Sequence, residues 1–396
     1  MAAFGLGWRA LVVAVVAGAR AAVAEPQSEE CSDAPVLLQT TRTSPKEDSV
    51  LPAEEDPVVA AVTALNPEMW FAMPKEARHK QCIEQQYDLA SMPRASVIVP
   101  YLHEDLGLMK KFVGSLIGNT PESLLEDILF VDDANEYGQS HAKELRSLHP
   151  KVKVHHNAER VGLTHSKVIG TEQTSAPVIV FLEPHCLANR QWLEPLLTQL
   201  LASRKSVAVP IVDVLPEETP DKYVYAGSFY GGFDWTLTFK WAGSASERNA
   251  SYTSPDPFDM PALSGGLLAM WRDWWEESGT YDEQMTEWGG ENIEMSLRIW
   301  RCGGTIVAVP CSRVGHMFRK SRPYSFHGEA ATRNTKRLAA VWLPDKMERV
   351  VKSAPALRDM SDVGDVSKRV ALREKLGCKN MDWYMQTIYP ELDKED

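Results

Sequence analysis

The feature that most constrains the fold is an alternation, between residues 96 and 212, of short apolar segments with longer helix-like segments. The apolar segments are rich in β-branched residues: Ser96–Val99, Ile128–Val131, Val152–His155, Val178–Leu182 and Val207–Val212. The helix-like segments are Leu106–Ile117, Ala142–Leu148, Thr164–Thr174 and Gln191–Ala202. Continuously apolar strands that alternate with helices are typical of a parallel sheet covered on both faces. The sequence therefore predicts an α/β fold with a mostly parallel central sheet flanked by helices.

Acidic residues follow two of the predicted strands. Asp132 and Asp133 come directly after Ile128–Val131, and Glu183 follows Val178–Leu182. Ligands of open α/β sheets bind beyond the carboxyl ends of the strands. We therefore expect the functional site at this edge.

The triplet Glu183-Pro184-His185 predicts a metal site there. In an extended segment, residues two apart project to the same side, and Pro184 stiffens the backbone between them. A carboxylate oxygen and an imidazole nitrogen suit Mn²⁺ or a similar cation better than Ca²⁺. His316, expected in a turn after an apolar strand over Ile306–Pro310, is a candidate third ligand. Taken alone, the triplet is more often an ordinary turn, and both interpretations stay open at this point.

Two further segments carry polar groups suited to a sugar nucleotide. Glu291 and Trp288 lie in a turn with two glycines, where the acid could bind sugar hydroxyls and the indole could stack on a sugar face. The alternative is that Glu291 or Asn292 only begins a helix predicted over Asn292–Arg301, with favourable charge at its N-terminus. Arg319 could bind phosphate through its planar guanidinium, or form a surface ion pair.

The first 24 residues are typical of a cleaved signal peptide, with Arg9, the apolar run Ala10–Ala19 and the small residues Ala22-Val23-Ala24, and a weak signal anchor is the alternative. That run is too short to span a bilayer comfortably, so no stable transmembrane span is predicted. Residues 25–94 are acidic and weakly periodic, which favours a largely irregular stem. The net charge of -12 is spread along the chain and argues against binding nucleic acid. Asn249-Ala250-Ser251 is a glycosylation sequon.

Six motifs carry a resemblance to a known family. They are Phe130-Val131-Asp132-Asp133-Ala134, Phe181-Leu182-Glu183-Pro184-His185-Cys186, Tyr230-Gly231-Gly232-Phe233-Asp234-Trp235, Ser264-Gly265-Gly266-Leu267, Trp288-Gly289-Gly290-Glu291-Asn292 and Val314-Gly315-His316-Met317-Phe318-Arg319-Lys320. In order and spacing they resemble the polypeptide N-acetylgalactosaminyltransferases, from about Ala95 to Leu392.

The resemblance implies a GT-A nucleotide-sugar-binding fold over residues 95–392. Its nucleotide-binding part would be 95–212, its sugar and acceptor part 213–340 and a C-terminal helical segment 341–392. The implied activity is Mn²⁺-dependent transfer of GalNAc, with retention, from UDP-GalNAc to Ser or Thr hydroxyls of proteins, in the Golgi lumen or after secretion. The alternatives are a catalytically weakened UDP-sugar-binding relative, or an inverting GT-A transferase. His185 argues against the second alternative, because inverting relatives carry a D-x-D triplet.

The resemblance also assigns roles to residues. Glu183, His185 and His316 would be metal ligands; Asp133, Arg160, Gly265, Gly266 and Tyr324 would bind the nucleotide sugar; Trp288, Glu291, Asn292 and Arg319 would act in catalysis; and Phe233, Trp235 and Phe318 would contact the acceptor. It pairs Cys82 with Cys311 and Cys302 with Cys378, and leaves Cys186 free.

Several positions depart from the family pattern. Glu183 stands where the family usually has Asp, and the segment Thr164–Lys167 replaces an arginine-rich pattern. Ser264 stands for a usual alanine, and His327-Gly328-Glu329 replaces a Pro-Gly-Gly in the loop that would close over UDP. A ricin-type lectin domain is not expected. These departures bear on activity and specificity more than on the fold.

Overall fold

The computed structural model describes residues 69, 71, 73–136, 138–244, 254–321, 323–325 and 327–394. The predicted signal peptide, the Asn249 sequon and most of the predicted stem lie outside these residues. Within the described part of the chain, no helix is long and apolar enough to cross a membrane.

Strands and helices alternate in the first half of the described chain, as predicted. The strands are β1 (Ala95–Tyr101), β2 (Leu125–Asp132), β3 (Val152–His156), β4 (Val178–Phe181), β5 (Cys186–Ala188), β6 (Ser206–Leu215), β7 (Phe229–Phe233), β8 (Phe239–Ser244), β9 (Phe258–Asp259), β10 (Leu268–Trp271) and β11 (Thr305–Met317). The helices are α1 (Lys80–Glu84), α2 (Leu106–Asn119), α3 (Ala142–Leu148), α4 (Leu163–Glu172), α5 (Leu193–Ala202), α6 (Arg272–Glu277), α7 (Glu291–Arg301), α8 (Gly328–Trp342), α9 (Met347–Ser353), α10 (Ser367–Lys375) and α11 (Met381–Thr387).

One large sheet organises the molecule, with the strand order β3-β2-β1-β4-β10-β6-β11-β5 and β9 paired to β11. Neighbours β3, β2, β1 and β4 are parallel, as are β6 and β11. The prediction of a mostly parallel sheet flanked by helices is confirmed. Strand β10, however, runs antiparallel between β4 and β6, and neither it nor the short β5 was predicted. The division of the chain into parts at residues 95, 213 and 341 stays a prediction.

Helix α4 lies unusually close to the sheet beneath it. It packs on β1 and β2, and a Cβ added to Gly170 would lie 2.4 Å from Cγ2 of Ile98 and 3.0 Å from Cγ2 of Val131. Any larger residue at Gly170 would therefore push the helix away from the sheet. This close approach sets how near α4, which begins just after Arg160 and Gly162, lies to the sheet.

The C-terminal helices dock on α7 through a buried ionic cluster. Glu294 accepts hydrogen bonds from Nε of Arg298 (3.0 Å), Nη2 of Arg369 (2.8 Å) and Nε1 of Trp342 (3.2 Å). All four side chains are buried. Because a buried carboxylate is stable only when it is paired, this cluster specifies how residues beyond 341 pack.

Two disulfides join distant parts of the chain, and their predicted pairing is confirmed. Cys82 in α1 bonds to Cys311 in β11, and Cys302 at the end of α7 bonds to Cys378. Cys186 is a free, buried thiol, also as predicted. The bonds bridge sequence separations of 229 and 76 residues, so each restricts the unfolded chain strongly.

We predict that replacing both Cys302 and Cys378 by serine lowers the free energy of unfolding by about 4 kcal/mol, the value that the chain-entropy description gives for a long closed loop. Chemical denaturation of the purified protein measures this. Cys186→Ala is the control, since Cys186 closes no loop, and it should cost clearly less. Equal losses in the two variants would mean that the bond contributes nothing beyond packing.

Candidate active site at the carboxyl edge of the sheet

A cavity of about 500 Å³ opens at the carboxyl edge of the sheet, where the sequence predicted the site. Its walls come from the ends of β1 and β11, the start of α4, the segment after β4 and the loop after β11. The lining residues are Pro100, Tyr101, Leu102, Glu104, Asp133, Arg160, Gly162, Leu163, Ser166, Glu183, Pro184, His185, Glu287, Trp288, His316, Met317, Phe318, Arg319, Lys320, Ser321, Pro323 and Tyr324.

The three predicted metal ligands meet in this cavity. One oxygen of Glu183, Oε2, lies 3.2 Å from Nε2 of His185 and in direct contact with Nε2 of His316. The ring centroids of the two histidines are 4.9 Å apart. One ligand atom from each of the three residues lies within 4.8 Å of the others. An oxygen and two imidazole nitrogens at this spacing fit a divalent cation of the Mn²⁺ or Zn²⁺ kind.

His316 reaches this cluster from a strand, and our expectation of a turn was wrong. Strand β11 continues to Met317, although Pro310 cannot donate a ladder hydrogen bond. Its pairing with β6 is interrupted after Val309 and resumes at Arg313, so a local irregularity accommodates the proline. The antiparallel pairing of β11 with β5 then places His316 opposite Cys186, one residue beyond His185.

Electrostatics at the cluster favour the protonation states that a cation needs at Glu183 and His316, but not at His185. Burial opposes ionisation of Glu183, but the two imidazoles outweigh it and hold the pKa of Glu183 well below its usual range. Burial lowers the pKa of His316, which favours its neutral form. His316 Nδ1 is buried and has no hydrogen-bond partner among the described residues. Burial also disfavours charge on His185, yet its bonds to Glu104 and Glu183 raise its pKa to about 9, so a cation must displace a proton there.

Glu104 is a site residue that the sequence analysis missed. It follows β1, and its buried carboxylate accepts from Nδ1 of His185 (3.1 Å), from Nη1 of Arg319 (3.2 Å) and, at shorter range, from Nη2 of Arg319. Burial alone would raise the pKa of Glu104, but these partners lower it to about 2. No short motif marks Glu104, because its partners are 81 and 215 residues away along the chain. Its position at a strand end was the one available signal.

Three of the predicted nucleotide-binding residues, Asp133, Arg160 and Tyr324, line the same cavity. Asp133 accepts from the backbone N–H groups of Val161 (2.8 Å) and Gly162 (2.9 Å), so it orders the turn that carries Arg160. Gly162 has φ +87°, and an added Cβ would lie 2.6 Å from the backbone nitrogen of Glu287. Only glycine fits this turn without strain.

The loop after β11 lines the cavity and is held in place by contacts with Arg160 and Glu287. Arg160 donates from Nη2 to the carbonyl of Ser325 (3.1 Å), and its guanidinium lies 5.7 Å from the ring centre of Tyr324. The carboxylate of Glu287 accepts from the backbone N–H of His327 (3.0 Å) and pairs with its ring Nδ1 (2.7 Å). Glu287 was also missed by the sequence analysis, although it adjoins the Trp288 motif.

The predicted sugar-binding residues form a buried layer next to the metal cluster. An added Cβ on Gly266 would lie 2.9 Å from the carboxyl carbon of Glu183, and one on Gly265 would lie 2.9 Å from Cβ of Asn292. Glu291 accepts from the Gly289 N–H (2.8 Å), and burial raises its pKa. Glu291 and Asn292 are 4% and 7% exposed, so they support the cavity more than they line it. Trp288 and Arg319 do line it.

Lys167 completes this layer. The side chain is 1% exposed and donates from Nζ to the carbonyl of Gly265 (2.7 Å). Burial lowers the pKa of Lys167, while the negative charges of Glu291 and Glu183 oppose that shift. The sequence analysis noted the unusual segment Thr164–Lys167 but did not place this cation in the site.

The three predicted acceptor contacts do not lie together. Phe233 and Trp235 are 0% and 2% exposed, since Phe233 packs against Tyr384 and Tyr389 and the Trp235 indole donates to the carbonyl of Leu392. The docked C-terminal segment covers both, so neither can touch an acceptor in this structure, and that expectation is corrected. Phe318 lines the cavity, with its ring centroid 4.6 Å from that of His316.

Comparisons with known proteins agree with this geometry. Residues 96–268 match the Glycosyl transferase family 2, and residues 249–321 match the N-terminal domain of galactosyltransferase. The crystal structure of GalNAc-T7 with UDP, GalNAc and Mn²⁺ superimposes with a TM-score of 0.73 and 27% sequence identity, covering 87% of this chain and 67% of that one. The fold and the site thus define a protein with the GT-A fold of glycosyltransferases.

Similarity in sequence identifies the family. The chain is 39% identical over 343 residues to polypeptide N-acetylgalactosaminyltransferase 4 of Caenorhabditis elegans, which covers 84% of this chain and 56% of that protein. It is 39% identical over 326 residues to the inactive polypeptide N-acetylgalactosaminyltransferase-like protein 5 of Mus musculus. That match covers 80% of this chain and 74% of the mouse protein. The chain belongs to the polypeptide N-acetylgalactosaminyltransferase family. It spans little more than half the length of the Caenorhabditis elegans relative.

We predict that Glu183→Gln weakens Mn²⁺ binding by more than the roughly 10- to 100-fold that loss of a group behind the ligands costs. Glu183→Asp should retain or improve binding, because it keeps the charge and restores the usual residue of the family. His185→Ala and His316→Ala should cost as much as Glu183→Gln. Titration of the purified variants with Mn²⁺ measures these affinities, with free Mn²⁺ quantified by its electron paramagnetic resonance signal.

Glu194→Gln is the matched control for these variants, since Glu194 is buried but does not line the cavity. It should leave the Mn²⁺ affinity unchanged. An unchanged affinity in Glu183→Gln as well would overturn the metal assignment.

Proposed function

We propose that this protein transfers GalNAc from UDP-GalNAc to Ser or Thr hydroxyls of proteins, the step that initiates mucin-type O-glycosylation. The observation that carries the proposal is the cluster of Glu183, His185 and His316 beside Arg319, in a cavity at the carboxyl edge of a GT-A sheet. The relatives named as polypeptide N-acetylgalactosaminyltransferases and the GalNAc-T7 structure, which holds UDP, GalNAc and Mn²⁺, support the choice of sugar and cofactor.

Mn²⁺ would be held by the Glu183 oxygen and by one nitrogen each of His185 and His316. When bound, the cation offsets the negative charge that develops on the departing diphosphate. Arg319 adds a second positive group, whose fork of N–H donors suits phosphate oxygens. Positive groups placed in advance where charge develops lower the barrier without reorganisation during the reaction.

Retention, which the resemblance implies, would proceed here without a covalent sugar intermediate. Glu291 is buried, accepts the Gly289 N–H and lies near the Lys167 cation, which suits it to fixing the sugar layer more than to attacking carbon. The acceptor hydroxyl would then attack from the face that the diphosphate leaves, with a phosphate oxygen taking its proton. Trp288 and Phe318 in the cavity wall would exclude water and contact the sugar or the acceptor.

A second candidate function is binding of a UDP-sugar without transfer. The likeness to the mouse protein named inactive favours this alternative, together with Glu183 at the usual position of a shorter acid. No comparable observation favours an inverting transferase, because His185 stands where a D-x-D triplet would carry its second acid.

We also propose that the protein works in the secretory pathway, in the Golgi lumen or after secretion. Two disulfides in the described chain support this, since such bonds persist in oxidising compartments. The predicted signal peptide agrees with it.

Incubation of the purified protein with UDP-GalNAc, Mn²⁺ and a Ser/Thr-rich peptide tests the proposed activity. We expect the peptide mass to increase by one N-acetylhexosamine, and the transfer to stop when the metal is chelated. NMR of the product should show the α anomer, which retention requires. Binding of UDP in the presence of Mn²⁺ without any gain in peptide mass would support the second candidate and contradict transfer.

We further predict that acceptors are chosen by the peptide sequence close to the modified residue. Phe318 is the predicted acceptor contact that lies in the cavity wall, and an aromatic wall suits an extended, proline-rich peptide. Phe318→Ala should therefore raise KM for the peptide more than KM for UDP-GalNAc. A strong rate increase from a GalNAc about ten residues away, at ~3.1 Å per extended residue, would contradict local selection.

A further inference from the structure

The Glu104 side chain contacts two groups that come from different parts of the fold. It lies between β1 and α2, whereas His185 precedes β5 and Arg319 follows β11. The side chain of Glu104 is 4% exposed, and both of its carboxylate oxygens are engaged. Such a contact joins the cation site to the candidate phosphate-binding arginine.

The contact with His185 orients the imidazole. Nδ1 of His185 donates a hydrogen bond to Oε2 of Glu104 at 3.1 Å. The other ring nitrogen, Nε2, faces Glu183 and is the atom that would bind a cation. A carboxylate behind a histidine ligand fixes both its tautomer and its ring orientation. His316 has no such support, because its Nδ1 has no hydrogen-bond partner among the described residues. His185 is therefore the oriented imidazole of the pair.

The contact with Arg319 orients the guanidinium and leaves some of its N–H donors for a ligand. Nη1 and Nη2 donate to the two oxygens of Glu104. Two of the five N–H donors of an arginine are used in this way, so others remain for an anion in the cavity that Arg319 lines. A paired guanidinium samples fewer side-chain conformations, which lowers the entropy lost when it binds phosphate.

We propose that Glu104 is a positioning residue that holds the His185 ligand and the Arg319 guanidinium in one arrangement, so that both approach the same diphosphate. This rests on the proposed function, since a UDP-sugar is the ligand that needs a cation and an arginine together. A purely structural role would instead make Glu104 a buried ion pair that ties the loop after β11 to the sheet. The two roles differ in what they do to ligand binding.

Glu104→Gln tests the proposal through two binding measurements that do not require transfer. The amide keeps the size of the side chain but loses the charge, so it cannot hold both partners. We expect Mn²⁺ affinity, measured without nucleotide, to fall about 10- to 100-fold, the usual cost of losing a group behind a metal ligand. We also expect weaker UDP binding in the absence of metal, because Arg319 is no longer held.

Asp282→Asn is the matched control. Asp282 is a buried carboxylate that accepts from Nε and Nη2 of Arg337, and neither residue lines the cavity. This variant should lower the unfolding temperature and leave both affinities unchanged. Glu104→Asp, which keeps the charge but shortens the reach, replaces Glu104→Gln if that variant does not fold, and the same two losses are expected.

The possible results distinguish failure of the Glu104 proposal from failure of the proposed function. A folded Glu104 variant in which either affinity stays at the wild-type value overturns the proposal, because coupling requires both to fall. Absence of GalNAc transfer by the wild type would refute the proposed function alone, since none of these measurements depends on transfer.

Discussion

The site depends on the short antiparallel pairing of β5 with β11. That pairing sets His316 opposite Cys186 and so brings a residue from the last strand next to Glu183 and His185, more than 130 positions earlier. The longer parallel pairing of β11 with β6 anchors the strand, and the interruption after Val309 adjusts its register. A slip of one residue would turn His316 to the other face of the sheet and dissolve the cluster.

The charges around this pairing are partly buried, and each has a partner that offsets part of the cost of burial. Glu183 faces two imidazoles, Glu104 faces His185 and Arg319, and Lys167 donates to the Gly265 carbonyl near Glu291. A buried ion without a partner costs several kcal/mol. The arrangement therefore contributes little to the free energy of unfolding, and we interpret it as a site arranged for a ligand. The buried pairs at Glu294 and Asp282, by contrast, do not line the cavity and join distant segments of the chain.

Two of the segments that depart from the family pattern lie beside the cavity: Thr164–Lys167 at the start of α4, and His327-Gly328-Glu329 after the loop that carries Arg319 and Tyr324. Glu287 connects the two, because its carbonyl accepts from the N–H of Leu163, just before the first segment, and its carboxylate accepts from the N–H of His327 in the second. His327 stands where the resemblance implies proline, and its backbone N–H, which a proline would lack, donates to Glu287. It adds a side-chain anchor at the far end of the loop that carries Arg319 and Tyr324.

The sequence by itself determined what depends on neighbours along the chain. Periodicity predicted the strands and helices of residues 96–212 apart from β5, and a two-residue spacing predicted that Glu183 and His185 share one side. Tertiary structure decided what depends on pairing between distant segments: the insertion of β10, the position of His316 within β11, and the burial of Phe233 and Trp235 beneath the C-terminal segment. It also decided the role of Glu104, whose side chain acquires its function only when β1, β5 and β11 meet. Local spacing is set by backbone geometry, whereas these contacts arise from the packing of the whole chain.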